Sequence, residues 1–163
     1  MESRAKIAGH AAHPMLIVFP LGLLATAVIF DILRLATGNT GFAIAAYWNI
    51  AAGIIIGLVA AVFGLVDWLA IPGGTRAKAI GLWHGVGNVV VVGLFAVSWL
   101  LRQGDPVHVP STLAFLLAVV AVLLALVTGW LGGELVERLG VGVDEGAHLD
   151  APNSLSGRPA RVA

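Results

Sequence analysis

Residues 42–66 read FAIAAYWNIAAGIIIGLVAAVFGLV, 25 residues without a charged side chain on any face. About 20 apolar residues are enough for a helix to cross the hydrocarbon core of a bilayer. A surface helix of a soluble domain keeps a charged or polar stripe, and this one keeps none. Working outward, three more charge-free apolar runs cover residues 14–30, 79–101 and 109–133. Turn-forming residues separate them: Thr37-Gly38-Asn39-Thr40-Gly41, Pro72-Gly73-Gly74 and Gln103-Gly104-Asp105-Pro106. The expected spans are about 14–35, 42–70, 78–101 and 110–137. Backbone polar groups in lipid must be satisfied within the segment, so these spans are helices. Short connections give an all-α, up-down-up-down four-helix bundle integral to the membrane.

Composition agrees. Of 163 residues, 59% are hydrophobic and 11% charged, against roughly 25% charged in soluble domains. Lys plus Arg and Asp plus Glu are both 9, so no net field points to nucleic acid. There is no cysteine, which excludes disulfides, thiolate metal sites and iron–sulfur ligation. The apolar run continues past Ala25-Thr26-Ala27 to Leu33 and three spans follow, a pattern unlike a cleaved signal. Arg4, Lys6, Arg76, Lys78 and Arg138 fall at one end of the spans, Arg34 and Arg102 at the other. By the positive-inside rule the first end is cytoplasmic and carries both termini. The chain is therefore expected as a multi-pass protein of the cytoplasmic (inner) membrane. Residues 1–12 form a cytoplasmic N-terminal segment, and 140–163, rich in Gly, Pro, Ser and Asp, a disordered cytoplasmic tail.

Three helices carry glycines four apart: Gly53 and Gly57, Gly81 and Gly85, Gly129 and Gly133. That spacing lets helix backbones approach closely, within the bundle or between copies in a homo-oligomer.

Ionisable residues inside a membrane are costly and point to function. His13 opens the first span, Asp67 lies near the end of the second, His84 sits one to two turns into the third, and Glu134 lies near the end of the fourth. The up-down order brings all four to the cytoplasmic end, with His84 roughly 8 to 12 Å inside the boundary at 1.5 Å per residue. Asp31 lies near the outer boundary beside Arg34, and an interfacial pair of the two is expected. The two halves also echo each other: His13 precedes Gly22-Leu23 by the same spacing as His84 precedes Gly93-Leu94. This suggests two parallel hairpin repeats about an axis along the membrane normal, with the polar cluster at their interface.

Three chemistries suit two imidazoles and two carboxylates. His13, His84, Asp67 and Glu134 could ligate a divalent transition metal. His13 and His84 could hold a haem b iron from opposite sides, with Asn88 and the carboxylates orienting the rings and Arg76 meeting a propionate. The same groups could relay protons. Each also has a plain structural use: His13 as an interfacial cap before Pro14, His84 bonded to Asn88 one turn on, Glu134 paired with Arg138. No nucleophile motif, phosphate loop or zinc-protease pair is present, and no catalytic residue is assigned.

His13-Pro14 with Phe19-Pro20-Leu21-Gly22, Gly64-Leu65-Val66-Asp67, His84, and Gly132-Gly133-Glu134-Leu135-Val136 closing in Gly140-Val141-Gly142-Val143 resemble the DUF2231 family over about residues 10–145. The family consists of bacterial four-helix membrane proteins of unknown function. Some members are joined to Rieske or cytochrome-type domains, so the resemblance implies a place near electron transfer and a redox partner protein. Glu137-Arg138-Leu139 stands where the family has a more aromatic, histidine-containing stretch. The expectation is a membrane redox or metal-handling subunit, with a structural or assembly subunit as the alternative and an ion or proton transporter after that.

Overall fold

The computed structural model describes residues 1–161. A two-stranded antiparallel ribbon, β1 (Lys6–Ile7) and β2 (His10–Ala11), leads into four long helices: α1 (Ala12–Thr37), α2 (Gly41–Ala70), α3 (Arg76–Leu100) and α4 (Thr112–Gly133). A π-helical turn, Glu134–Arg138, extends α4. All four helices are long and apolar enough to cross a membrane. α1 ends at Gly38, whose φ of 73° suits glycine and whose N–H bonds the Arg34 carbonyl. Thr75 and Ser111 cap α3 and α4 by accepting the N–H of Lys78 and Ala114.

α1 packs along α2 and α3 along α4; α2 meets α3, and α1 meets α4 more lightly. Neighbouring helices run antiparallel: His13 reaches Ala60 while Phe30 stacks on Phe42, and His84 reaches Thr128 while Ser98 bonds Ala114. The core is made of small side chains. Ala27, Ala46, Ala114, Ala118 and Ala121 are fully buried around Ile50 and Phe95. Small residues at contacts bring helices close where no hydrophobic effect drives them together. Large apolar side chains face outward instead, as Trp83, Val89 and Leu126 do.

Only one of the three glycine pairs lies wholly at a contact inside the chain. A Cβ on Gly53 would stand 2.7 Å from Leu24, and one on Gly57 3.5 Å from Pro20, both on α1. Gly81 backs onto Trp68, but Gly85, Gly129 and Gly133 have open space where a Cβ would be.

The two-hairpin repeat extends through the whole core. Four buried positions of α1 recur in α3 and the turn after it at an offset of 71: Pro20 with Val91, Leu24 with Phe95, Ala27 with Ser98, Asp31 with Arg102. Buried positions of α2 recur in α4 at an offset of 68: Ala46 with Ala114, Ile50 with Ala118, Gly53 with Ala121, Ala60 with Thr128. The second hairpin thus repeats these buried positions of the first, three residues shorter around its turn.

After Gly140 the described residues run as turns with a 3-10 turn at Ser154–Ser156. They bond back to the start of the chain. The Met1 amino group donates to the Gly140 carbonyl, the Gly142 N–H to the Met1 carbonyl, and Lys6 bridges Glu2 and Asp144. These bonds favour the charged forms: Asp144 and Glu2 raise the Lys6 pKa, and Lys6 lowers that of Glu2.

Candidate paired-histidine site

His13 enters at the second residue of α1 and crosses to α2. Its Nδ1 lies 2.8 Å from the Ala60 carbonyl. A Cβ on Gly64, one turn beyond Ala60, would stand 2.9 Å from the ring. The second hairpin repeats this. His84 on α3 places Nδ1 2.8 Å from the Thr128 carbonyl, and a Cβ on Gly132 would stand 3.1 Å from its ring. Each glycine therefore makes the bed on which an imidazole lies, and each carbonyl anchors it. A carbonyl oxygen only accepts, so both Nδ1 atoms carry a proton, which leaves Nε2 as the nitrogen of each ring not tied to its own hairpin's backbone.

The rings meet across the bundle, although α1 and α3 are diagonal neighbours. Their centroids are 6.2 Å apart and their planes nearly perpendicular at 86°. Asn88 on α3 flanks the pair. Its Nδ2 donates to the His84 carbonyl at 2.8 Å and, more weakly, to His84 Nε2 at 3.3 Å.

Both carboxylates expected beside the histidines are used elsewhere. Asp67 accepts from Ser3 Oγ at 2.8 and 2.9 Å and from the Arg4 and Ala5 N–H groups at 2.7 and 3.3 Å. It pins the N-terminal segment to the bundle end. Glu134 pairs with Arg76, tying the π-helical turn to the start of α3. That takes Glu134 away from Arg138 and Arg76 away from any propionate. Among the described residues no group of three or more His, Cys, Asp or Glu side chains is placed to hold a metal ion. The four residues expected to share one ion are thus not gathered around one point: the two histidines meet, and the two carboxylates are bonded to Ser3 and Arg76.

Asp31 also differs from expectation. It pairs with Arg102, not Arg34, through two parallel bonds of 2.8 and 2.7 Å, with both side chains fully buried. Ser98 accepts a third guanidinium bond at 3.2 Å. A helix neighbour three residues away is a natural partner by sequence spacing, yet Asp31 faces the bundle axis, where its own repeat equivalent stands. The 71-residue offset carried that signal. No sequence signal pointed to Ser3 or to the two carbonyls, because every residue carries a carbonyl.

Residues 9–145 match the model of a family described as "Predicted membrane protein (DUF2231)". A curated protein of Rhizobium meliloti (strain 1021), glycerol-3-phosphate acyltransferase, is 38% identical over 106 residues, which are 64% of this chain and 49% of that protein. The chain thus spans about half the length of the curated relative it matches. No solved structure matches the chain.

Proposed function

The chain belongs to the DUF2231 family of predicted membrane proteins, and from that premise we propose that His13 and His84 form a two-imidazole metal site across the bundle axis, of the kind that holds a haem iron from both faces. The facing rings carry the reading: their centroids are 6.2 Å apart with each Nδ1 tied to a carbonyl. Imidazole nitrogens bind metals at about 2.0–2.1 Å, which puts two rings on opposite sides of one ion about 6 Å apart, centroid to centroid. Ligating histidines typically donate their second N–H to a carbonyl or carboxylate, which fixes tautomer and orientation. Both rings here have that partner.

A bare divalent ion asks for more protein ligands than two, and Asp67 and Glu134 are committed to Ser3 and Arg76. A haem needs only two axial ligands from the protein, so the loss of the carboxylates counts against the ion and not against the haem. Such a group, when bound, supplies one-electron redox chemistry. The chain's part is to present two imidazoles from opposite hairpins, with Gly64 and Gly132 leaving room for the rings. The site lies at the end bearing Arg4, Lys6, Arg76, Lys78 and Arg138, which we place in the cytoplasm. The protein would serve as a membrane redox or metal-handling subunit. The acyltransferase activity named for the Rhizobium meliloti protein belongs to that protein, of which half is matched.

A structural reading has its own support, since each histidine ties two helices of its own hairpin. Absorption spectra of the solubilised protein with added haemin, air-oxidised and dithionite-reduced, separate the two. The metal-site reading expects a Soret band that shifts on reduction and is lost in His13→Ala and in His84→Ala. Spectra identical to free haemin in the wild type, or unchanged in both variants, would leave the histidines as helix ties.

A further inference from the structure

His13 and His84 occupy equivalent places in the two hairpins, but their surroundings differ one turn on. Four residues after His84 stands Asn88; four residues after His13 stands Ile17. Thr128 Oγ1 donates to Asn88 Oδ1 at 3.0 Å, which orients the amide so that Nδ2 faces the His84 ring. In the first hairpin Ala60 stands where the second has Thr128. Both halves of the bridge are therefore missing around His13.

Resting on the metal-site reading, we propose that Asn88 is a positioning residue that makes the two imidazoles unequal, so that His13 is the standing ligand and His84 binds only after Asn88 releases its Nε2. The distances say why release is easy. Asn88 Nδ2 holds the His84 carbonyl at 2.8 Å and the ring nitrogen at 3.3 Å, so turning away from the ring gives up the weaker contact and keeps the stronger. Thr128 Oγ1 has a second acceptor in the Ala125 carbonyl at 3.1 Å, which lets the bridge loosen without stranding the hydroxyl. An intramolecular hydrogen bond of this kind changes an equilibrium by about 2- to 10-fold. Loading would then run in order: His13 first, His84 second.

Two measurements on the full chain test this. In ligand-free protein with 15N-labelled histidine, Asn88→Ile, which copies residue 17, is expected to move the His84 Nε2 resonance and leave that of His13 in place. Thr128→Ala, which copies residue 60 and leaves Asn88 present, should move the same resonance in the same direction. In haemin uptake followed by absorption, the wild type should show two phases, and Asn88→Ile one phase with about 5-fold tighter binding. A His84 resonance unmoved in both variants overturns the proposal, as does haemin uptake by Asn88→Ile indistinguishable from wild type. A moved resonance with no haemin uptake by any variant keeps the Asn88 cap and defeats the metal-site reading instead.

Discussion

Exchanging the charges of the buried ion pair tests the repeat directly. Asp31 and Arg102 sit at equivalent positions of the two hairpins, fully buried and joined by two parallel bonds. Removing one partner of such a pair leaves an uncompensated charge and costs about 3–5 kcal/mol. Arg102 Nε is buried without a partner among the described residues, so the pair is not fully satisfied and the lower figure applies. Asp31→Ala or Arg102→Ala should thus lower the melting temperature of the detergent-solubilised protein by roughly 10 °C, at about 2–4 °C per kcal/mol for a chain of this size. If the two positions are related by a two-fold axis, Asp31→Arg with Arg102→Asp rebuilds the same pair from the opposite helices. It should recover all but the bond to Ser98, worth about 1 kcal/mol, because Ala27 stands at the equivalent place. Adding Ala27→Ser should restore that remainder. Differential scanning fluorimetry on the five proteins reads the outcome. A charge exchange as unstable as either single alanine variant would refute the two-fold argument, and alanine variants that melt with the wild type would refute the energetic one.

Two further outcomes follow from the geometry. Gly64→Ala and Gly132→Ala place a methyl 2.9 and 3.1 Å from the His13 and His84 rings; overpacking of this kind costs about 1–3 kcal/mol, and thermal unfolding should show the greater loss at Gly64. Hydrogen exchange of residues 1–12 should depend on pH at both extremes: the lowered Glu2 pKa gives a contribution present above its ordinary 4.5 and lost as pH falls through the folded value. The raised Lys6 pKa gives one present below 10.5 and lost as pH rises through the folded value. Protection should therefore fall below the lower limit and above the upper one, and protection unchanged at both extremes would show that the Glu2–Lys6–Asp144 cluster does not hold the segment.

The four long apolar helices were legible because nothing competes with a charge-free apolar run. The histidines were legible in depth, since each stands a known number of residues from its helix start. Direction around the helix was harder. Asp67 and Glu134 share the histidines' end but face Ser3 and Arg76. Two things hid this. The residues Ser3, Arg4 and Ala5, ahead of the N-terminal ribbon and without apolar pattern, supply the donors for Asp67. Glu134 opens a π-helical turn, which breaks the 3.6-residue period by which its face would be read. Asp31 was misassigned for the opposite reason, because a ready partner in the same helix drew attention from the tertiary one.

The repeat explains why it is the histidines that meet. When two copies of a hairpin pack about a two-fold axis, a residue can touch its own equivalent only where it lies close to that axis. His13 with His84 and Asp31 with Arg102 both satisfy this, at one offset of 71, with Arg102 in the turn just after α3. They mark the axis near its two ends, 18 residues or about 27 Å apart along α1. The two marks have diverged differently. At the loop end the equivalent residues became opposite charges, a pair that favours contact between unlike hairpins and would set like charges together if a hairpin met a second copy of itself. At the terminal end the equivalent residues are the same, two histidines whose rings lie 6.2 Å apart. Each ring is anchored separately, to a carbonyl and a glycine of its own hairpin, so the contact across the axis is not what orients either one.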